Sequence, residues 1–296
     1  MSDSQRQLQS AYEKKHYDRA ELSVDRVYDA MYAYLRRDLG LPETVARARA
    51  QSEIDGRAAG LFCETWEEQN VTISGRSVLD LGAGLGGVAV EVVKRGGHVT
   101  AIEPGRGWRE IAQERLAQTG RGVVLGALGE ALPFADDCFD LVMSRQVLEH
   151  VDNPEQVIRE AYRVLKPGGY FCFSYENYLS FFEPHYQVRW LPLLPKKIGA
   201  VYLRRLHRDP RFLLESIHYT TFPAVRRYLR EAGFVCTRVD EYRRSLKCPK
   251  KQSLKWRMCK GIASLHEGLA IQLLATQDSA KRMFKTATYE FVRKPG

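Results

Sequence analysis

The chain has 296 residues, 44 % of them hydrophobic and 27 % charged, which is ordinary for a globular protein with a sizeable core. No run approaches the ~18 uninterrupted apolar residues of a membrane helix, and the opening "MSDSQRQLQS" lacks an apolar signal core, so a cytoplasmic protein is expected. The net charge of +9 is concentrated: between Arg243 and Lys285 eleven Lys/Arg face Glu267 and Asp278, while the rest of the chain balances at 34 against 34.

Residues 1–70 contain no β-rich run. From Val24, "VDRVYDAMYAYLRRDLG" spaces its apolar residues three and four apart, which predicts a helix, and Gly40 and Pro42 punctuate it. A second helical stretch, "ETVARARAQSEIDGRAAGLFCETWEEQ", runs up to Asn70. These helices are expected to form a lid over a core domain spanning residues 71–296.

From Ser77 strands and helices alternate. "SVLDLGAG", "HVTAIEP", "GVVLGAL", "FDLVMSR" and "GGYFCFSYE" read as strands; "GGVAVEVVKRG", "GWREIAQERLAQTG" and "NPEQVIREAYRVL" read as the helices between them. Such alternation predicts a doubly wound, mostly parallel sheet. After Tyr175 an irregular stretch, about 176–220, holds His185, His207 and His218 among aromatics and prolines; a loop of that length is usually functional. The helix "FPAVRRYLREAGF", a sixth strand "FVCTRVDEYR", a basic helical insertion (243–286) and a last strand "TATYEFVRK" complete the chain. The six cysteines (63, 138, 172, 236, 248, 259) form no CxxC pair and no zinc spacing, so they read as reduced packing residues and no metal is expected.

Gly82, Gly84 and Gly87 satisfy G-x-G-x-x-G between a strand and a helix, where bare backbone N–H groups can approach a ligand. Glu103, at the end of the next strand, stands where a carboxylate accepts hydrogen bonds from ribose hydroxyls. Both features suit a dinucleotide or S-adenosylmethionine alike. Asp80, two residues before the first glycine, argues against the dinucleotide, because a dehydrogenase strand is usually apolar there.

With "EALPFADDCFDLVMSRQVLEHV" and "REAYRVLKPGGYFCFS" added, the chain resembles the class I S-adenosylmethionine-dependent methyltransferases, in the methyltransferase 11 or UbiE-like branch. The likeness runs from about Ser77 to Tyr175, resumes at "TFPAVRRYLREAGF" and ends with "YEFVRK", roughly half the chain. It implies a Rossmann-like, seven-stranded sheet with helices on both faces, and S-adenosylmethionine as cofactor. It implies that Asp80, Gly82, Gly84 and Gly86 line the methionine and ribose end, with Glu103 on the ribose. Where the family often carries an adenine-binding Asp stands Leu128, which leaves that contact to the backbone of Leu128 and Gly129. Ser144 and Gln146 are placed along the cofactor, and His150 matches a histidine common in the branch.

Methyl transfer from a sulfonium is an in-line displacement, in which positioning supplies ~7–11 kcal/mol and a general base, for a hydroxyl acceptor, another ~10²–10⁴-fold. "YENYLSFFEPHYQVRWLPLLPKK" follows the fifth strand and offers Glu183 and His185 together: a histidine oriented by a carboxylate suits the base. His150 is the other candidate. Structural roles, a histidine bonded to a backbone carbonyl or capping a helix, compete for both. These residues point to O-methylation of a sugar, a glycan end or a lipid-linked hydroxyl. N- or C-methylation of a small metabolite needs less help from a base and stands beside it. A nucleic-acid methyltransferase lacks its "NPPY"-like or "PC" segment here, and a nicotinamide oxidoreductase fits neither Asp80 nor the helical prelude. The basic segment 243–285, with "GLAIQLLA" inside it, suits an anionic membrane surface or a merely solvated face. The oligomeric state is not legible.

Overall fold

The computed structural model describes residues 26–236 and 278–296. Helix α1 (Arg26–Ala33) widens into a π turn (Tyr34–Asp38) and is followed by α2 (Glu43–Ile54) and α3 (Arg57–Glu67). Then come β1 (Ser77–Leu81), α4 (Gly87–Lys94), β2 (His98–Ile102), α5 (Arg106–Ala117), β3 (Val123–Leu125), β4 (Phe139–Arg145), α6 (Pro154–Val164) and β5 (Leu165–Glu176). The stretch after β5 holds a small hairpin, β6 (Phe182–Glu183) with β7 (Val188–Arg189), and two helices, α7 (Lys196–Arg205) and α8 (Arg211–Glu215). Helix α9 (Phe222–Ala232), β8 (Val235–Cys236) and β9 (Ala287–Arg293) finish the description.

Seven strands form one sheet in the order β3-β2-β1-β4-β5-β9-β8. β1 to β5 pair in parallel, and β9 runs antiparallel to both β5 and β8. The central strands are apolar because both faces are covered: Val78, Leu79 and Leu81 of β1 are buried, as are Leu141, Val142 and Met143 of β4. This is the mostly parallel, Rossmann-like sheet expected from the alternation, and every strand read from the sequence has its counterpart. Of "FVCTRVDEYR" the described part is β8; residues 237–277, which hold most of the basic segment and "GLAIQLLA", and residues 1–25 lie outside the described residues.

Local chemistry sets the element ends. Asn153 Oδ1 accepts from the Gln156 N–H (3.1 Å) and Pro154 opens α6, the expected start of an amphipathic helix. On one face of the sheet, Val157, Ile158 and Ala161 of α6 and Val225 and Leu229 of α9 pack on Leu79, Val142, Phe171 and Phe173. On the other, Phe62, Cys63 and Trp66 of α3 join Val88 and Val92 of α4 and Leu116 of α5. Thus α3, within the N-terminal 70 residues, covers the sheet. A third core joins the π turn, Leu39 and Leu41 to Tyr178, Tyr186, Trp190, Leu203, Leu213 and Ile217 of the 176–220 stretch.

Strand order reverses between β1 and β4: from β1 the chain winds to β2 and β3 on one side and later to β4 and β5 on the other. Ligands in such sheets bind in the crevice that opens there, at the carboxyl ends of the strands. Among the described residues no helix is long and apolar enough to cross a membrane.

Candidate active site

A cavity of about 610 Å³ opens at that switch point. Its walls are the glycine loop, Glu103 and Trp108, the Leu128–Glu130 segment, Met31, Tyr34, Arg49, Ser52 and Glu53 from the N-terminal helices, and the imidazoles of His150 and His185. Pockets of ~300–1,000 Å³ commonly enclose a drug-sized ligand.

The glycine loop is built for close approach. Gly82 has φ +76°, and a Cβ on it would lie 2.4 Å from Val147 Cγ2. Its N–H and that of Ala83 donate to the Ile102 carbonyl, which locks the loop to the end of β2. Glu103 Oε2 accepts the Gly84 N–H (2.9 Å) and Oε1 accepts the Gly105 N–H (2.8 Å), so this buried carboxylate ties the glycine loop to the start of α5. Burial pushes its carboxyl up to about 7. Asp80 is buried too, and Oδ2 finds no hydrogen-bond partner. Burial pushes it up to about 7 against the pull of Arg145, whose Nη2 donates to Glu53 Oε1 of α2 (2.8 Å).

Not every residue assigned to this loop faces the cavity. Gly86 (φ +79°) packs instead against Ala112 of α5, where a Cβ would meet the helix backbone at 3.1 Å; its neighbour Gly87 takes the lining position. Leu128 and Gly129 line the wall. Ser144 lies buried at the end of β4, outside the lining, and its Oγ has no hydrogen-bond partner. Gln146 lines the cavity with φ +56°; its N–H donates to the Ser174 carbonyl (2.8 Å) and its side-chain amide to Glu176.

The two histidines meet. Their rings stand 5.2 Å apart, edge to face, and Phe212 of α8 packs against both at 5.6 and 5.4 Å. The β6–β7 hairpin places His185 so that Nδ1 faces Glu183 Oε1 at 2.9 Å. Glu183 itself is fully buried behind His185 and does not line the cavity; it accepts the Tyr186 N–H (2.6 Å) and the Tyr178 hydroxyl (3.2 Å). Burial disfavours the His185 cation, but the carboxylates of Glu183, Glu149 and Glu176 outweigh it and raise the imidazole above its usual range. His150 Nδ1 faces the Ser216 carbonyl at 3.1 Å. His218 lies apart, with Nε2 3.2 Å from Asp152.

Glu149 was not singled out by sequence, because "LEHV" reads as an apolar run. It is wholly buried beside His150, and burial, with Glu176 adding to it, pushes its carboxyl up to about 8. Trp108, Arg145, Arg49 and Glu53 were missed as well. The first sits five residues after Glu103, near the start of the helix that follows it; the others are brought in only by tertiary packing.

Residues 79–173 match the family described as a methyltransferase domain. These residues of the chain are a methyltransferase domain. The chain is 34 % identical over 155 residues to the ubiquinone biosynthesis O-methyltransferase of Pseudomonas entomophila, covering 46 % of this chain and 66 % of that one. To the protein of the same name from Pseudomonas putida it is 37 % identical over 117 residues, 38 % of this chain and 49 % of that one. The chain therefore spans about half to two thirds of the length of these curated relatives. A candidate sarcosine dimethylglycine methyltransferase from Galdieria sulphuraria shares the fold of the methyltransferase domain and its surroundings, with a TM-score of 0.52 at 18 % identity over 90 % of this chain and 98 % of that one.

Proposed function

We propose that the protein methylates a hydroxyl group on a sugar, a glycan end or a lipid-linked acceptor, with S-adenosylmethionine as donor. The observation that carries this reading is that His185, backed by the buried Glu183, lines the same cavity as Asp80, Glu103 and the glycine loop. The relatives named for ubiquinone biosynthesis O-methylation support a hydroxyl acceptor.

The residues present fit the donor. Asp80 Oδ2 is an orphaned buried oxygen suited to the cationic amino-acid end, Glu103 keeps a second lone pair on each oxygen for ribose hydroxyls, and Gly84 leaves open space where a Cβ would stand. When bound, S-adenosylmethionine supplies an electrophilic methyl on a sulfonium. The chain's residues align and deprotonate the acceptor. With Nδ1–H donated to Glu183, His185 keeps its lone pair on Nε2, which takes the hydroxyl proton, while Glu183 stabilises the imidazolium. The rings of Tyr34, Trp108 and Phe212 near the same end suit the faces of a sugar.

Titration calorimetry with S-adenosylmethionine and NADH separately tests the donor. S-adenosylmethionine is expected to bind and to weaken at least about tenfold, ~1.4 kcal/mol, in Glu103→Ala; binding of NADH alone overturns the reading. In an acceptor screen, His185→Gln and Glu183→Gln are expected to lower kcat by ~10²–10⁴ with the donor affinity kept. Undiminished turnover in the double variant transfers the reading to a nitrogen or carbon acceptor.

A further inference from the structure

We propose that Arg49 of α2 holds an anionic oxygen group of the acceptor, a carboxylate or a phosphate, near the hydroxyl that is methylated. The inference rests on the hydroxyl-acceptor reading and names the class of acceptor: a hydroxyl compound that carries negative charge. Arg49, Ser52 and Glu53 stand three and four positions apart on α2, so they share one face, and all three line the cavity.

Two arginines line the cavity, and their surroundings differ. Arg145 donates to Glu53 Oε1 (2.8 Å) and pulls on Asp80, at the donor end. Arg49 Nη1 is buried and finds no hydrogen-bond partner. The charge of Arg49 is felt by Glu176, the last residue of β5, where it favours the carboxylate against burial. Glu176 feels His185 as well, so Arg49 and the base share one end of the cavity. Sequence spacing did not mark Arg49, one of two arginines in "ARARA"; the fold pairs Arg47 with Glu43 at the surface and turns Arg49 inward.

The acids at this end have other engagements. Glu183 faces His185 Nδ1 at 2.9 Å, and Glu176 accepts from the Gln146 amide. Burial pushes the Glu149 carboxyl up to about 8, so it is neutral at pH 7. A guanidinium presents its N–H donors in a planar fork that meets a carboxylate or a phosphate through two parallel bonds. A buried donor without a partner costs free energy until something accepts from it. An acceptor oxyanion does so, and the Ser52 hydroxyl, one turn further along α2, adds a second donor beside the fork. A neutral sugar needs no guanidinium, whereas a uronic acid, a sugar phosphate or a lipid-linked phosphate does. The chain's net charge of +9 draws ligands of that sign.

The test is anion binding by the purified full chain saturated with S-adenosylhomocysteine, the donor without its methyl group. Inorganic phosphate, acetate, glucose 1-phosphate and glucuronate are titrated by calorimetry, with glucose as the neutral control. At least one anion is expected to bind, at one per chain and about tenfold or more tighter than glucose. Preference for the two phosphates identifies a phosphate-bearing acceptor, and preference for acetate or glucuronate a carboxylate-bearing one. Arg49→Gln is expected to abolish the preference while its affinity for S-adenosylmethionine is kept; Arg49→Lys, which retains the charge and loses the fork, is expected to keep part of it. No anion bound by the unmodified chain, or equal anion binding by Arg49→Gln, overturns the proposal. So does a lower melting temperature in Arg49→Gln with the preference intact, which leaves Arg49 as a counter-charge to Glu176. Lost S-adenosylmethionine affinity with the preference intact overturns it too, and assigns Arg49 to the donor's own carboxylate. Hydroxyl methylation of neutral acceptors undiminished in Arg49→Gln refutes the anion site and leaves the function; anion binding that depends on Arg49, in a chain that methylates no hydroxyl, refutes the function and leaves the site.

Discussion

Asp80 and Glu103 are buried carboxyls at two edges of one glycine loop, and burial pushes both up to about 7. Their folded pKa values are raised above those of an unfolded chain, near 4. The stability they contribute is therefore fully present below about pH 4 and lost as pH rises through about 7. A ligand with a cationic end and ribose hydroxyls favours their ionised forms, so S-adenosylmethionine binding is expected to tighten from pH 6 to 8 and to release protons near pH 6.5. Calorimetry in buffers of different ionisation enthalpy measures that release; Asp80→Asn is expected to reduce it, and a flat profile between pH 6 and 8 would count against both carboxyls. The ligand-free melting temperature is expected to fall over the same interval. These two acids were legible in the sequence because their spacing from the glycines is local. Arg145, which tempers Asp80, is held by Glu53 from a helix 92 positions earlier, a relation no local pattern carries. Glu149 was hidden for the opposite reason: an acid inside an apolar run reads as incidental until its burial is known.

At the scale of elements, the sheet was legible because each strand is a short apolar run flanked by glycine or a helical period. The stretch 176–220 was not, because its elements are short and its order comes from aromatic packing with residues 35–46. That shared core connects α2 and the π turn, which supply Tyr34, Arg49 and Glu53 to the cavity, with the hairpin that supplies His185. We propose that the two segments act together as the lid, although the sequence placed the lid in residues 1–70 alone. Leu39, fully buried in this core, tests it. Leu39→Ala is expected to cost ~2–5 kcal/mol of stability, read by thermal melting. If the segments form one lid, the same change also speeds cofactor dissociation and exposes both segments to protease; cleavage confined to residues before α2 would separate them.

For the whole molecule, charge is the property left unexplained by a methyltransferase domain. The excess of nine positive charges lies between Arg243 and Lys285, mostly outside the described residues. The described surface supplies a companion feature on α7, where Ile198 and Val201 are 57 % and 49 % exposed, with Lys197, Arg204 and Arg205 exposed around them. Residues three and four apart share a helix face, so this helix presents apolar side chains rimmed by cations. That combination partitions into the interface of an anionic bilayer, where each nearby Lys or Arg contributes ~1 kcal/mol. We propose that the protein works at such a surface, which suits a lipid-linked acceptor. In co-sedimentation it is expected to bind vesicles of mixed neutral and anionic phospholipid at ~0.1 M salt and to leave them near ~1 M, where screening shortens the reach of each charge to ~3 Å. Ile198→Asp with Val201→Asp is expected to weaken binding at least tenfold, because apolar insertion is lost while the basic segment is unchanged. Equal binding to neutral vesicles would remove the electrostatic part of the argument. Salt-sensitive binding to RNA with none to vesicles would assign the basic segment to a nucleic acid and the exposed face of α7 to a contact with another protein.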